Sequence, residues 1–170
     1  MRQPEPLVSL AVGVVIERRK AKSPWADFAW RPVAVLPGVP DAAPWTPLDG
    51  DGERINFYGG AVALKLYRSD ASGYRDNLAT GGALLWVVLR PTGHEPPYTI
   101  AAVTAEPSEG EAFTESADNL VDTVPMPETI RAVIAEFVAE HYVEHKFVKR
   151  QRDRADPNAM ARRAAVKDRK

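Results

Sequence analysis

The sequence predicts an α+β fold: a mainly antiparallel β-sheet of about six strands, arranged as a sandwich or partly open barrel and covered by two C-terminal helices, with a basic tail beyond them. Three observations carry this expectation. Short apolar runs of period two fill the first 105 residues, and fifteen Pro and eleven Gly punctuate the chain. Helical periodicity is strongest after those runs. Strands first and helices last, without alternation, argues against a doubly wound α/β fold. A chain of 170 residues that is 45% apolar can bury one sizeable core. Residues 1–145 are therefore read as one domain and residues 146–170 as a basic tail.

The first element is the run from Leu7 to Ile16, where Val8, Leu10, Val12, Val14 and Ile16 alternate with small residues. Ten residues are too few to cross a bilayer, which takes about 20. Charged flanks and the lack of a small-residue cleavage site favour a core strand over a secretory leader. Phe28 to Leu36 reads as a second strand, placed at an edge or a bulge by Pro32, which has no N–H for a ladder. A long loop is expected from Pro37 to Gly52. Arg54 to Tyr58 and Ala61 to Arg68 follow, with Gly59 and Gly60 between them as a tight hairpin or a bulge. Ala83 to Arg90 is apolar on both faces and is expected at the centre of a sheet. Tyr98 to Ala105 is the last strand predicted.

Two helices are predicted after it. Ser108 stands three residues before Glu111, a capping box, and Ala112, Phe113, Ser116, Ala117 and Leu120 share a stripe. Pro127 suits the first turn of the second helix, whose apolar face is Ile130, Val133, Ile134, Phe137, Val138 and His141.

Charge divides the chain sharply. Residues 146–170 hold ten Lys or Arg against three Asp, whereas residues 1–145 hold twelve against twenty Asp or Glu. An acidic body with a basic arm points to a contact outside the core, and Lys149, Arg150, Arg152, Arg154, Arg162 and Arg163 are the candidates in the tail. A solvated, frayed terminus is the bland account. Nucleic acid is a weaker partner than protein, since the body repels the backbone that the arm attracts. Phe147, Val148 and Met160 are too few apolar residues for a membrane-surface helix.

Catalytic equipment is sparse. With no Cys, thiolate chemistry and disulfides are excluded, in keeping with a reducing cytoplasm. There is no Walker loop, G-x-G-x-x-G or G-x-S-x-G motif. His141, Glu144 and His145 spell H-x-x-E-H, a zinc-binding pattern, but His141 lies on an apolar stripe and a core histidine is the better account. The carboxylates of Asp49, Asp51 and Glu53 lack calcium-loop spacing and read as a solvated turn. No catalytic residue, cofactor or metal is assigned.

More suggestive are Arg18, Arg19, Lys20 and Lys22 followed by Trp25, Trp30 and Arg31. Cations interleaved with indoles can stack on aromatic ligands or clasp carboxylates and phosphates. A second candidate group is Arg68, Tyr74 and Arg75, in the predicted loop before the central strand, where Asp76 and Asn77 read as turn residues.

Four segments carry a family resemblance: ERRKAKSPWADFAWRPVAVLPG (17–38), LKLYRSDASGYRDNL (64–78), LWVVLRP (85–91), and VDTVPMPETI with FVAEHY (121–142). Together they resemble a proteobacterial domain-of-unknown-function family encoded beside molybdenum-dependent formate dehydrogenase genes. The resemblance covers roughly residues 7–150 and implies no catalytic residues. It implies a non-catalytic cytoplasmic accessory protein that binds formate dehydrogenase subunits during assembly, maturation or regulation. The rival reading is a ligand-binding or catalytic module acting on a nucleotide or the molybdenum cofactor, with Arg18, Arg19, Arg31, Arg68 and Arg75 as phosphate contacts. Some relatives carry a guanylyltransferase label. That chemistry calls for a Gly-rich loop after the first strand, where this chain has one Gly.

Overall fold

The alternation that opens the chain becomes the central strand of a sheet. In the computed structural model, which describes residues 4–116, 118–144 and 148, β1 (Val8–Lys20) is flanked by β2 (Phe28–Leu36) and β4 (Arg54–Leu66). A short strand, β3 (Thr46–Gly50), pairs with the first half of β4 and completes the order β2-β1-β4-β3. The second sheet has β5 (Leu84–Pro91) between β6 (Tyr98–Thr104) and β7 (Leu120–Pro125). Every pairing is antiparallel.

The two sheets face each other with β4 beside β6 and β2 beside β7. Among the described residues no ladder joins these seams, so the barrel is not closed. Val12, Val14 and Ile16 of β1, Leu64 and Leu66 of β4, and Leu85, Val87 and Leu89 of β5 fill the space between. Each of these eight side chains is almost fully buried. At about 2 kcal/mol for a buried aliphatic side chain, this layer dominates the favourable side of folding.

The expected bulges occur where the sequence placed them. Pro32 lies on β2, an edge strand of its sheet, beside a register shift at Val15 and Ile16. Gly59 and Gly60 do not end a strand. Val14 pairs with Gly60 and Val15 with Tyr58, which leaves Gly59 as an extra residue inside a continuous β4. A side chain at Gly59 would run into Ile16, and Gly60 adopts a φ of 124°, so both positions need glycine.

The helices depart from the expected pair at the C-terminus. Among the described residues there are three α-helices: α1 (Ala71–Ala79) between β4 and β5, α2 (Pro107–Ala112) between β6 and β7, and α3 (Glu128–His141) after β7. The segment expected as a loop before the central strand is therefore α1, and β3 lies in the expected long loop. Residues assigned to the end of a helical stripe, Leu120 onward, are β7. The helical start at Ser108 is also corrected. Glu106 is the N-cap, its carboxylate accepting from the Glu109 N–H at 2.6 Å, with Pro107 in the first turn. The predicted apolar face of α3 holds, with Ile130, Ile134 and Phe137 in the core.

α2 lies against the outer face of β5, so close at Gly110 that a Cβ there would overlap the Trp86 indole. α1 and α3 cover the end of the core where Val8 pairs with Leu66. Tyr74 of α1 meets Phe137 of α3 edge to face at 5.8 Å. Among the described residues no helix lies over the opposite end of β1, which runs into the β1–β2 hairpin.

Candidate functional site

That hairpin end gathers most of the aromatic side chains singled out in the sequence. Cross-strand pairs share a face, and the register pairs Ile16 with Phe57, Arg18 with Trp30, and Lys20 with Phe28. Phe28, Trp30, Phe57 and Arg18 therefore share the core-side face of the first sheet with Ile16, at the outer border of the aliphatic layer. Trp30 packs against Trp45 at 5.8 Å, Phe57 at 6.1 Å and Tyr98 at 6.2 Å, with Phe28 at its outer edge at 6.4 Å. Trp45 reaches this cluster from a φ of 68°, a region that strains a bulky residue by about 1 kcal/mol or more. Its rings and its N–H bond to the Tyr58 carbonyl hold it there.

Arg18 lies over this platform. Its guanidinium carbon is 4.3 Å from the Phe28 centroid, 5.4 Å from Phe57 and 5.9 Å from Trp30. Among the described residues no carboxylate lies within ion-pair distance of it. Beside the platform an open groove of about 510 Å³ runs between Phe28, Trp30 and Tyr98 on one side and Pro91, Glu95 and Pro97 on the other.

The other face of the same strands is electrostatically closed. Glu17 is buried, and its carboxylate bridges Arg31 at 3.0 Å and Arg54 at 3.5 Å. Arg31, a predicted ligand contact, is thus engaged within the sheet, an arrangement that keeps a buried carboxylate paired. Beyond it Arg19, Lys20, Lys22 and Arg54 line a shallow concavity of about 900 Å³ together with Asp51 and Glu53. Asp51 caps the β3–β4 turn. The N–H groups of Glu53 and Arg54 donate to its carboxylate at 2.8 and 3.0 Å and hold its pKa below the ordinary value. The carboxylates of this turn therefore serve the turn itself. Trp25 stands at the hairpin tip with 92% of its surface exposed.

The second predicted group lies elsewhere. Val8 and Arg18 are ten residues apart on β1, about 33 Å at the usual strand rise, and Arg68, Tyr74 and Arg75 belong to the Val8 end. Arg68 is exposed. Tyr74 is buried rather than available, its hydroxyl accepting from the Tyr67 N–H at 3.1 Å, and burial raises its pKa further above the ordinary phenol value. Arg75 stacks on Tyr142 at 4.9 Å and donates to its hydroxyl at 3.2 Å. Asn77 is no turn residue. It is buried in α1, donating to the carbonyls of Leu84 and Ala105 at 2.8 and 2.9 Å and accepting from the Leu84 N–H at 3.0 Å.

His141 packs against Phe137 at 4.5 Å, the core-histidine arrangement. His145 lies outside the described residues, as do Lys149, Arg150, Arg152, Arg154, Arg162 and Arg163. Among the described residues no three His, Cys, Asp or Glu are grouped to hold a metal ion, and no helix is long and apolar enough to cross a membrane. Phe57, Tyr98, Glu17 and Arg54 were missed as parts of this end of the molecule. Glu17 alone left a signal, the one carboxylate in β1, set between the apolar run ending at Ile16 and the cations Arg18, Arg19 and Lys20.

Fold and site together define a two-sheet α+β protein with an aromatic and cationic groove at one open end. The chain belongs to a protein family of unknown function, DUF3305, whose model matches residues 11–151. Neither the curated proteins nor the solved structures yielded a match.

Proposed function

We propose that this protein is a non-catalytic accessory factor of the cytoplasm that docks on the subunits of a molybdenum-dependent formate dehydrogenase and assists their assembly, maturation or regulation. The observation that carries a docking role is Trp25. An indole left 92% exposed at a hairpin tip, three residues from Lys22 and on a backbone whose N–H donates to the Ser23 hydroxyl, has the character of an interface anchor. The choice of partner rests on the resemblance of the four segments to a family encoded beside that enzyme. The basic tail supplies a second contact of opposite charge to the body.

The reading in which five arginines surround a nucleotide or the molybdenum cofactor draws less support. Arg18, Arg19 and Arg31 stand at one end of β1, and Arg68 and Arg75 at the other.

The test is capture of the dehydrogenase subunits from the native cell by tagged full-length protein. Trp25→Ser is expected to reduce capture by about tenfold, the effect of removing an interface anchor. Deletion of residues 146–170 is expected to reduce it further at low salt than at high salt. Undiminished capture by both variants, with full dehydrogenase activity in the corresponding strains, would refute the proposal.

A further inference from the structure

The groove beside Phe28, Trp30 and Tyr98 has a chemistry that narrows the kind of partner it accepts. Its floor is apolar, and the cation beside that floor is Arg18, stacked on Phe28. Of the four arginines around this end, Arg31 and Arg54 share the carboxylate of Glu17 and Arg19 points to the same outer face. Arg18 is held flat on three aromatic rings with its N–H groups free of any carboxylate among the described residues. A guanidinium fixed in that way has lost part of its side-chain entropy before a ligand arrives, and its planar fork matches a carboxylate.

The surroundings set the sign of the partner. Residues 1–145 are acidic, with twelve Lys or Arg against twenty Asp or Glu, yet four of those twelve are Arg18, Arg19, Lys20 and Lys22. An acidic segment approaching this body is repelled over most of it and attracted here. The volume of about 510 Å³ is in the range of a site for one or two large side chains, and its open side leaves room for a continuing backbone.

We infer that this groove is a peptide-docking site for an extended segment of a partner protein in which an aromatic or large aliphatic side chain is followed or preceded by carboxylates. The apolar side chain lies on Phe28, Trp30 and Tyr98. A neighbouring carboxylate takes the free N–H groups of Arg18, and a further one gains only the longer-range attraction of the positively charged hairpin. One free guanidinium suits a single carboxylate, whereas a nucleic-acid backbone brings a charge at every nucleotide past Glu95, so a protein segment is favoured over a single-stranded nucleic acid. The inference rests on the docking role proposed above and specifies its chemistry.

The experiment is selection of a random dodecapeptide display library on the immobilised full-length chain, followed by anisotropy titration of the enriched peptides. Enriched sequences are expected to combine an aromatic or Leu residue with at least two Asp or Glu. Arg18→Gln is expected to weaken them about tenfold, the usual effect of a lost charge-assisted pair. Phe28→Ser should weaken them comparably, and Arg18→Lys should restore only part of the loss. Both variants replace partly exposed residues, and unchanged circular dichroism and a cooperative unfolding transition confirm their folding.

No enrichment over the bare support, enriched peptides without carboxylates, or equal binding to the variants would each overturn the inference. So would tighter binding of a labelled (dT)12 with the same dependence on Arg18. The two proposals separate cleanly. Dehydrogenase capture unaffected by Arg18→Gln would remove the groove and leave the accessory role, whereas Arg18-dependent acidic peptides without dehydrogenase capture would do the reverse.

Discussion

At the helix-covered end of β1 the buried Tyr74 and Asn77 are matched to backbone partners, whereas at the hairpin end Phe28, Trp30, Tyr98 and the guanidinium of Arg18 remain partly open to solvent. The first end shows how the YRDNL segment serves the fold. Tyr74 and Asn77, one turn apart on α1, point inward and satisfy backbone groups of three different segments. The second end shows the converse. Its aromatic rings are held in fixed positions by each other, and nothing among the described residues covers the outermost, Phe28 and Trp25. One end is closed by satisfied polar contacts and the other is left open, although both carry the same residue types.

The largest expected effect breaks the closed end. Asn77→Ala leaves the Leu84 N–H and the carbonyls of Leu84 and Ala105 without their partner in a buried place, at a cost of about 3–5 kcal/mol. Urea denaturation measures it, and a change below about 1 kcal/mol would show that Asn77 is dispensable.

A smaller effect sharpens the same comparison through pH. Tyr74→Phe removes one acceptor and is expected to cost about 1 kcal/mol at neutral pH. Because burial raises the folded pKa of Tyr74, its phenol contributes stability that is full below the unfolded value of about 10 and is lost as pH rises above it. The phenylalanine variant has no such group. The gap between the two proteins should therefore narrow between about pH 8 and about pH 11. A gap that widens would place the phenol in a site that favours its charged form.

Per side chain removed, the smallest expected effect on stability is at the open end. Trp25→Ser together with Phe28→Ser should cost about 1–2 kcal/mol, since Trp25 is 92% exposed and Phe28, 44% exposed, gives up its Arg18 stack and its edge contact with Trp30. The same double variant should lose partner capture. A large destabilisation would mean that the aromatic cluster is part of the core.

Much of the strand framework was legible because its signals are local. The alternation of Val8 to Ile16, the missing N–H of Pro32, the adjacent Gly59 and Gly60, and the two-faced apolar run of β5 each act within one element. α1 was hidden because its hydrophobic stripe is thin, and its inward residues include a Tyr and an Asn that look like site or turn chemistry. β3 was hidden in a loop rich in Pro and Gly because it pairs on one edge only. β7 escaped because its register with β5, not its own sequence, makes it a strand. The family is likewise readable from the segments over residues 11–151, and its description assigns no function.

From the sequence alone came the α+β class, the bulges, the helix over Glu128–His141 and the division of charge between body and tail, all properties of neighbouring residues along the chain. Only the folded molecule decided which arginine is free. Arg18 and Arg31 are indistinguishable as residues, but a strand's two faces send one onto aromatic rings and the other onto a buried glutamate. That choice follows from register, which two strands fix together.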